Sequence, residues 1–113
     1  MAGPITYGRP LTASQVQLDA LRREATVRGR KVELTRQEFD LLYQLAAWPG
    51  IVFSRAALLE KVWDDDGSIT EHTVDTVISR LRRKIELAPR RPELILTSWG
   101  VGYKFADSER GSA

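Results

Sequence analysis

At 113 residues the chain has the length of one domain with a single modest core, and its net charge of +2 is too small by itself to argue for nucleic acid. The absence of cysteine excludes disulfides, thiolate metal sites and a thiol nucleophile. No apolar run approaches bilayer length, and Met1-Ala2-Gly3-Pro4 lacks the basic and apolar regions of a secretory signal, so no membrane partner and a cytoplasmic location are expected.

Residues 1–13 carry Gly and Pro with few large apolar groups and read as a tail or linker remnant; residues 14–106 read as the folded domain and 107–113 as a C-terminal tail. Val16-Gln17-Leu18, Ala25-Thr26-Val27 and Val32-Glu33-Leu34 are short β-prone pieces of an antiparallel meander, with a hairpin turn at Gly29. Thr35-Arg36-Gln37-Glu38 is a capping box, because a Thr hydroxyl and a Glu three residues later satisfy each other's backbone N–H groups. It opens a first helix with Phe39, Leu42, Leu45 and Ala46 at helical spacing, ending at Trp48-Pro49-Gly50. After Ile51-Val52-Phe53, Ser54 caps a second helix carrying Leu58, Leu59 and Val62 and ending near Trp63. Asp64-Asp65-Asp66-Gly67 is turn chemistry, and Ser68-Ile69-Thr70-Glu71 offers a further capping box.

The third helix has two unlike faces. Val74, Ile78, Leu81 and Ile85 follow the i, i+4, i+7, i+11 pattern of a core stripe, whereas His72, Thr73, Thr76, Arg80 and Arg83, flanked by Ser79 and Lys84, form a polar face that ends in cations. Short hydroxyl side chains let a helix axis approach base edges, and Arg reaches guanine edges or phosphates. The charge is uneven in the same sense: residues 1–71 hold 9 Lys/Arg against 10 Asp/Glu, residues 72–113 hold 8 against 5. Pro89 and Pro92 stop this helix. Leu94 to Thr97 and Gly100 to Phe105 then form a hairpin with Gly at its bend.

The order is that of an α+β winged helix-turn-helix: N-terminal antiparallel sheet, three helices, and a C-terminal β-hairpin wing. Such a unit puts its last helix in the major groove and its hairpin at the backbone or minor groove. The Asp64-Asp65-Asp66 run fails as an EF-hand, since Gly falls fourth and Ile sixth, and no metal or cofactor is expected. His72 lacks the neighbours of a metal or catalytic site and reads as a hydrogen-bonding residue at a helix start. With no nucleophile–base pair, phosphate-binding Gly loop or paired-carboxylate motif, an enzyme is not expected.

From Val16 to Phe105 the chain resembles the OmpR/PhoB-type winged-helix effector domains of bacterial two-component response regulators. The resemblance is carried by Leu34 to Leu42, Pro49 to Arg55, Leu58-Leu59 with Val62-Trp63, Thr73-Val74-Asp75 with Ile78 to Ile85, and Gly100 to Phe105, all in order. It implies base contacts at Thr73, Thr76 and Arg80 and phosphate contacts at His72, Ser79 and Arg82. Val77 and Ser79 stand at positions where they supply no cation, which shifts anchoring toward Arg83, Lys84, Arg55 and the Trp63 indole N–H. Thr97 and Tyr103 keep hydroxyls that reach backbone oxygens. Each has a bland alternative: Trp63 sealing the core, Arg55 a solvated first-turn residue, Tyr103 a core aromatic. Where similar domains carry Arg in the wing, this chain has Trp99; stacking on sugar, wedging at a base step, and packing against protein stay open for it. The resemblance further implies an RNA polymerase contact at the Asp64, Asp65 and Asp66 loop, binding to tandem half-sites in double-stranded DNA with weak self-association there, and a receiver domain in a longer parent protein, with the linker-like start favouring a fragment. A winged-helix protein-interaction module is the alternative function.

Overall fold

The computed structural model describes residues 10–63 and 69–107; the acidic turn at Asp64 to Asp66, the Ser68 cap and most of both tails lie outside them. A four-stranded antiparallel meander comes first, in the order β1 (Leu11–Ala13), β2 (Val16–Asp19), β3 (Glu24–Val27), β4 (Arg30–Val32). Helices α1 (Arg36–Ala46), α2 (Arg55–Val62) and α3 (Glu71–Ile85) follow, with the two-residue strand β5 (Phe53–Ser54) between the first two. The chain closes with β6 (Ile95–Ser98) and β7 (Gly102–Phe105), which join β5 in a second antiparallel sheet of order β5-β7-β6.

Strand β1 lies inside the stretch expected to be a tail. It is legible only through its pairing: Ala13 opposes Val16 across a two-residue turn at Ser14, which is held at φ 53 without the usual glycine. Strand β4 begins two residues earlier than expected. The tight turn has both central residues left-handed, Arg28 at φ 50 and Gly29 at φ 79, so Arg30 sits directly opposite Val27. Val32 ends the pairing, and Leu34 turns in to pack on the core ahead of the helix cap.

The first two caps form as the sequence dictates. Glu38 N donates to Thr35 Oγ1 at 3.2 Å and Thr35 N to Glu38 Oε1 at 2.9 Å, and Ala57 N donates to Ser54 Oγ at 3.0 Å. The further capping box expected from Ser68 lies outside the described residues; Thr70 is the N-cap of α3 and makes no side-chain cap bond. Nor does proline end this helix. It stops at Ile85, four residues before Pro89, where Arg28 Nη1 donates to the Ile85 carbonyl at 2.8 Å and Glu86 turns extended. The Glu86 carboxylate accepts from the backbone N–H groups of Glu93, Leu94 and Ile95, fixing where β6 starts.

The stripe Val74, Ile78, Leu81 and Ile85 is buried, as is Val77, against Leu42, Leu45, Leu58, Ile95 and Phe105 in one cluster. A polar tie crosses this core. Glu38, 2% exposed, accepts a 2.6 Å hydrogen bond from Lys84 Nζ, which also donates to the Glu33 carbonyl at 3.0 Å. Burial pushes the Glu38 carboxyl up, but the Lys84 and Thr35 hydrogen bonds more than offset it and hold the group below the ordinary glutamate value of 4.5. The stability it contributes is present above that ordinary value and lost as pH falls through the lower folded value.

Gly102 fixes how closely the two outer strands approach. A Cβ there would lie 2.0 Å from the Phe53 carbonyl oxygen, directly where Ser54 opposes Gly102. Gly102→Ala is expected to detach β5 from β7 and to destabilise the domain by about 3 kcal/mol in urea unfolding. Lys84→Met leaves Glu38 buried without its cation. Because Lys84 is partly solvated the expected cost near neutral pH is about 1–3 kcal/mol, below that of a fully buried pair. The deficit should shrink in acid, where Glu38 is protonated in both proteins; a pH-independent deficit would show that the pairing is not its source.

Candidate nucleic-acid interface

At about 100° per residue, the side chains of α3 fall into four sectors around its axis. One is the buried stripe. Opposite it lie Thr73, Thr76, Ser79, Arg80 and Arg83, of which Ser79, Arg80 and Arg83 are exposed. Between these sectors, one flank holds Asp75 and Arg82, seven residues and two turns apart, and the other holds Lys84. The flanks face protein.

On the first flank Asp75 Oδ1 accepts a 2.6 Å hydrogen bond from the Tyr103 hydroxyl of β7 and lies 3.0 Å from Arg55 Nε of α2. Arg82 Nε and Nη2 donate to the Ile95 carbonyl at 3.2 and 2.8 Å, and Nη2 also donates to Thr97 Oγ1 at 2.9 Å, both on β6. The guanidinium stands 5.6 Å from the centre of the Tyr103 ring. Burial and the Asp75 hydrogen bond raise the Tyr103 hydroxyl above its ordinary pKa, so it remains a protonated donor. Burial lowers Arg82 from the ordinary arginine value. Both strands of the hairpin are therefore tied to the helix that presents the polar face.

Several expected contact residues thus face inward. Arg82 is committed to β6 and Lys84 to Glu38 and Glu33, Tyr103 donates its hydroxyl hydrogen bond to Asp75, and Trp63, 8% exposed, belongs to the core cluster. Thr97 accepts from Arg82, which leaves its own O–H to donate outward. Arg55 is half-exposed, with Glu71 a loose second partner at 4.0 Å. Thr76 Oγ1 donates to the His72 carbonyl at 3.2 Å, leaving lone pairs to accept. His72 is exposed at the N-terminal end of α3, and Trp99 stands at the hairpin apex.

Two concavities flank the polar face. One, of about 460 Å³, lies between the start of α2 and the hairpin and is lined by Ser54, Arg55, Arg82, Thr97, Ser98 and Trp99 among others. The other, of about 610 Å³, brings Arg90 beside Ser79 and Arg83. Arg90 carried no sequence signal: it sits in a Pro-flanked loop without periodicity. The one available hint was its place in the basic half of the chain. Arg80, Arg83 and Arg90 have no hydrogen-bond or ion-pair partner among the described residues, so their charge is free for an anion.

The model of the family described as transcriptional regulatory protein, C terminal, matches residues 29–105. The DNA-binding response regulator MtrA of Mycolicibacterium smegmatis is 40% identical over 94 residues, 83% of this chain and 41% of that protein. The transcriptional regulatory protein ResD of Bacillus subtilis is 41% identical over 96 residues, 84% of this chain and 40% of that one. The chain thus spans about two-fifths of the length of the curated relatives it matches. Among solved structures, the Klebsiella pneumoniae RstA DNA-binding domain in complex with the RstA box aligns with a TM-score of 0.77 at 31% identity, covering 88% of this chain and 98% of that one. The Thermotoga maritima response regulator DrrB, an OmpR/PhoB homologue, aligns with a TM-score of 0.77 at 38% identity over 86% of this chain and 44% of its own.

Proposed function

The chain belongs to the transcriptional regulatory protein C-terminal family, the OmpR/PhoB-type DNA-binding domains of response regulators, and on that premise we propose that it reads a specific duplex with α3 in the major groove and the β6–β7 hairpin at the backbone and minor groove. The observation that carries this reading is the outward sector of α3, in which Thr73, Thr76 and Arg80 lie together, Arg80 without a partner among the described residues, while the cations on the flanks are bonded inward. Thr73 and Thr76 accept from or pack against base edges, and Arg80 reaches a guanine edge in bidentate fashion.

Phosphate anchoring falls to Arg83 and Arg90 on one side, and on the other to the half-exposed Arg55, which shares its guanidinium with Asp75, together with Thr97; Ser79 and His72 add further donors. Arg82, Lys84, Tyr103 and Trp63 hold the frame and do not touch the duplex. Three cationic phosphate contacts give a slope of about −3 for log K against log salt. One helix and a short wing make a small interface, so tandem half-sites occupied by two weakly associating copies supply the affinity. The same reading implies a receiver domain in the parent protein, RNA polymerase as a partner of the acidic Asp64 to Asp66 loop, and a cytoplasmic location. No helix of the described residues is long and apolar enough to cross a membrane.

Selection of bound sequences from a random duplex library should enrich a short repeated motif. Arg80→Ala should lose about 1–3 kcal/mol of discrimination between that motif and a scrambled one, read by fluorescence anisotropy. Arg83→Ala and Arg90→Ala should weaken both duplexes alike and each flatten the salt slope by about 1. Failure of the intact domain to enrich any motif would favour the winged-helix protein-interaction module.

A further inference from the structure

The hairpin apex is apolar, exposed and braced. Ser98 opposes Gly102 in the β6–β7 register, which leaves Trp99, Gly100 and Val101 as a three-residue apex. The turn is closed by Val101 N donating to the Ser98 carbonyl at 2.9 Å, and Gly100 takes φ +80, a left-handed position that suits glycine. Trp99 is 89% exposed, the most exposed of the large apolar side chains among the described residues, and Val101 stands beside it at 59%. Neither the indole ring nor its N–H has a partner among the described residues. Between Ser98 and Tyr103 there is no cation, so this tip does not draw on the negative potential of a narrow minor groove as an inserted Arg would.

Just behind the tip the character reverses. Arg55, Arg82, Thr97 and Ser98 line the concavity at its base, where Glu71 offsets part of the positive charge, and Thr97, which accepts from Arg82, keeps its own O–H for a phosphate. The stem does not give way, because Arg82 holds β6 and Asp75 holds β7 through Tyr103. A flat aromatic tip on a polar, cationic and rigid stem has the chemistry of a wedge: the stem meets phosphates while the tip leaves water by entering a base stack.

We propose that Trp99, flanked by Val101, inserts from the minor groove into one base step beside the site read by α3, and so makes binding depend on how easily that step unstacks. The inference rests on the duplex reading proposed above. Pyrimidine–purine steps unstack most readily, so a TpA or CpA step is preferred at one fixed distance from the motif, at a position no α3 side chain touches. The insertion bends the duplex toward its major groove.

The test uses the whole chain and duplexes that carry the selected motif with a single TpA step walked through an otherwise uniform A-tract flank. Intact protein should bind best when the step occupies one register. Trp99→Ala should lose about tenfold on that duplex and less than about twofold on the unbroken A-tract, as expected when one base–aromatic contact is removed. Trp99→Arg should reverse the flank preference toward the A-tract. A 2-aminopurine placed at the preferred step should brighten with intact protein and not with Trp99→Ala. Equal losses on every flank, or a 2-aminopurine signal that is the same for both proteins, would overturn the wedge and leave motif binding intact. Loss of motif binding by the intact chain would instead overturn the duplex reading, and the wedge with it.

Discussion

The rigid joint between α3 and the β6–β7 hairpin is the constraint on which the rest of the site depends. Two residues two turns apart on one flank of the helix grip different strands: Asp75 takes the Tyr103 hydroxyl of β7, and Arg82 takes the Ile95 carbonyl and Thr97 hydroxyl of β6. Each is a charge-assisted hydrogen bond in a half-buried setting, stronger than a neutral one by roughly a factor of two. Together with the Glu86 carboxylate, which accepts three backbone N–H groups at the start of β6, they leave the hairpin no hinge at its base. On the proposed reading, in which the domain meets a duplex at two grooves, that rigidity matters, since ordering a loose wing on binding would subtract from a small interface.

The same joint explains which cations are available. Arg and Lys on a helix face look alike in a sequence, yet the helix here sorts them by sector. Residues at the borders of the buried stripe find carbonyls and carboxylates on neighbouring elements, so Arg82 and Lys84 become structural. Arg80 and Arg83, pointing away from the core, find none. Elsewhere several cations are paired, Arg23 with Asp40, Lys31 with Glu24, and Arg22 with Asp19, whereas the scattered Arg30, Lys61 and Lys104 have no partner among the described residues. The small net charge therefore conceals a local excess of uncompensated charge at the C-terminal half of α3 and the loop after it.

Much of the fold was legible because its signals are local. The buried stripe of α3 follows from spacing alone, and the caps at Thr35 and Ser54 follow from residue type at fixed offsets. What was not legible depends on partners far along the chain. Strand β1 has three residues and exists through its pairing with β2, and α3 ends at Ile85, four residues before Pro89, where Arg28 donates to the last helical carbonyl and the Glu86 carboxylate binds the Glu93–Ile95 N–H groups. The site divides in the same way. The outward sector of Thr73, Thr76, Arg80 and Arg83 is a matter of helical periodicity, whereas the inward roles of Arg82, Lys84 and Trp63 depend on acceptors and walls contributed by β6, α1 and the core.

These two kinds of information also separate affinity from selectivity. On the reading proposed here, few cations remain free for phosphates, so the sequence-independent part of binding is weak and falls only shallowly with salt. Discrimination then rests on what does not scale with charge: the fit of short hydroxyl side chains and one guanidinium to base edges, and the deformability of the step under an uncharged wing tip. Replacing the free cations with more of them would raise affinity for any duplex and lower the ratio that matters. An apolar residue at the wing apex works in the opposite direction, because insertion into a stack is favourable only where the sequence yields, and a braced hairpin is what allows the side chain to demand it.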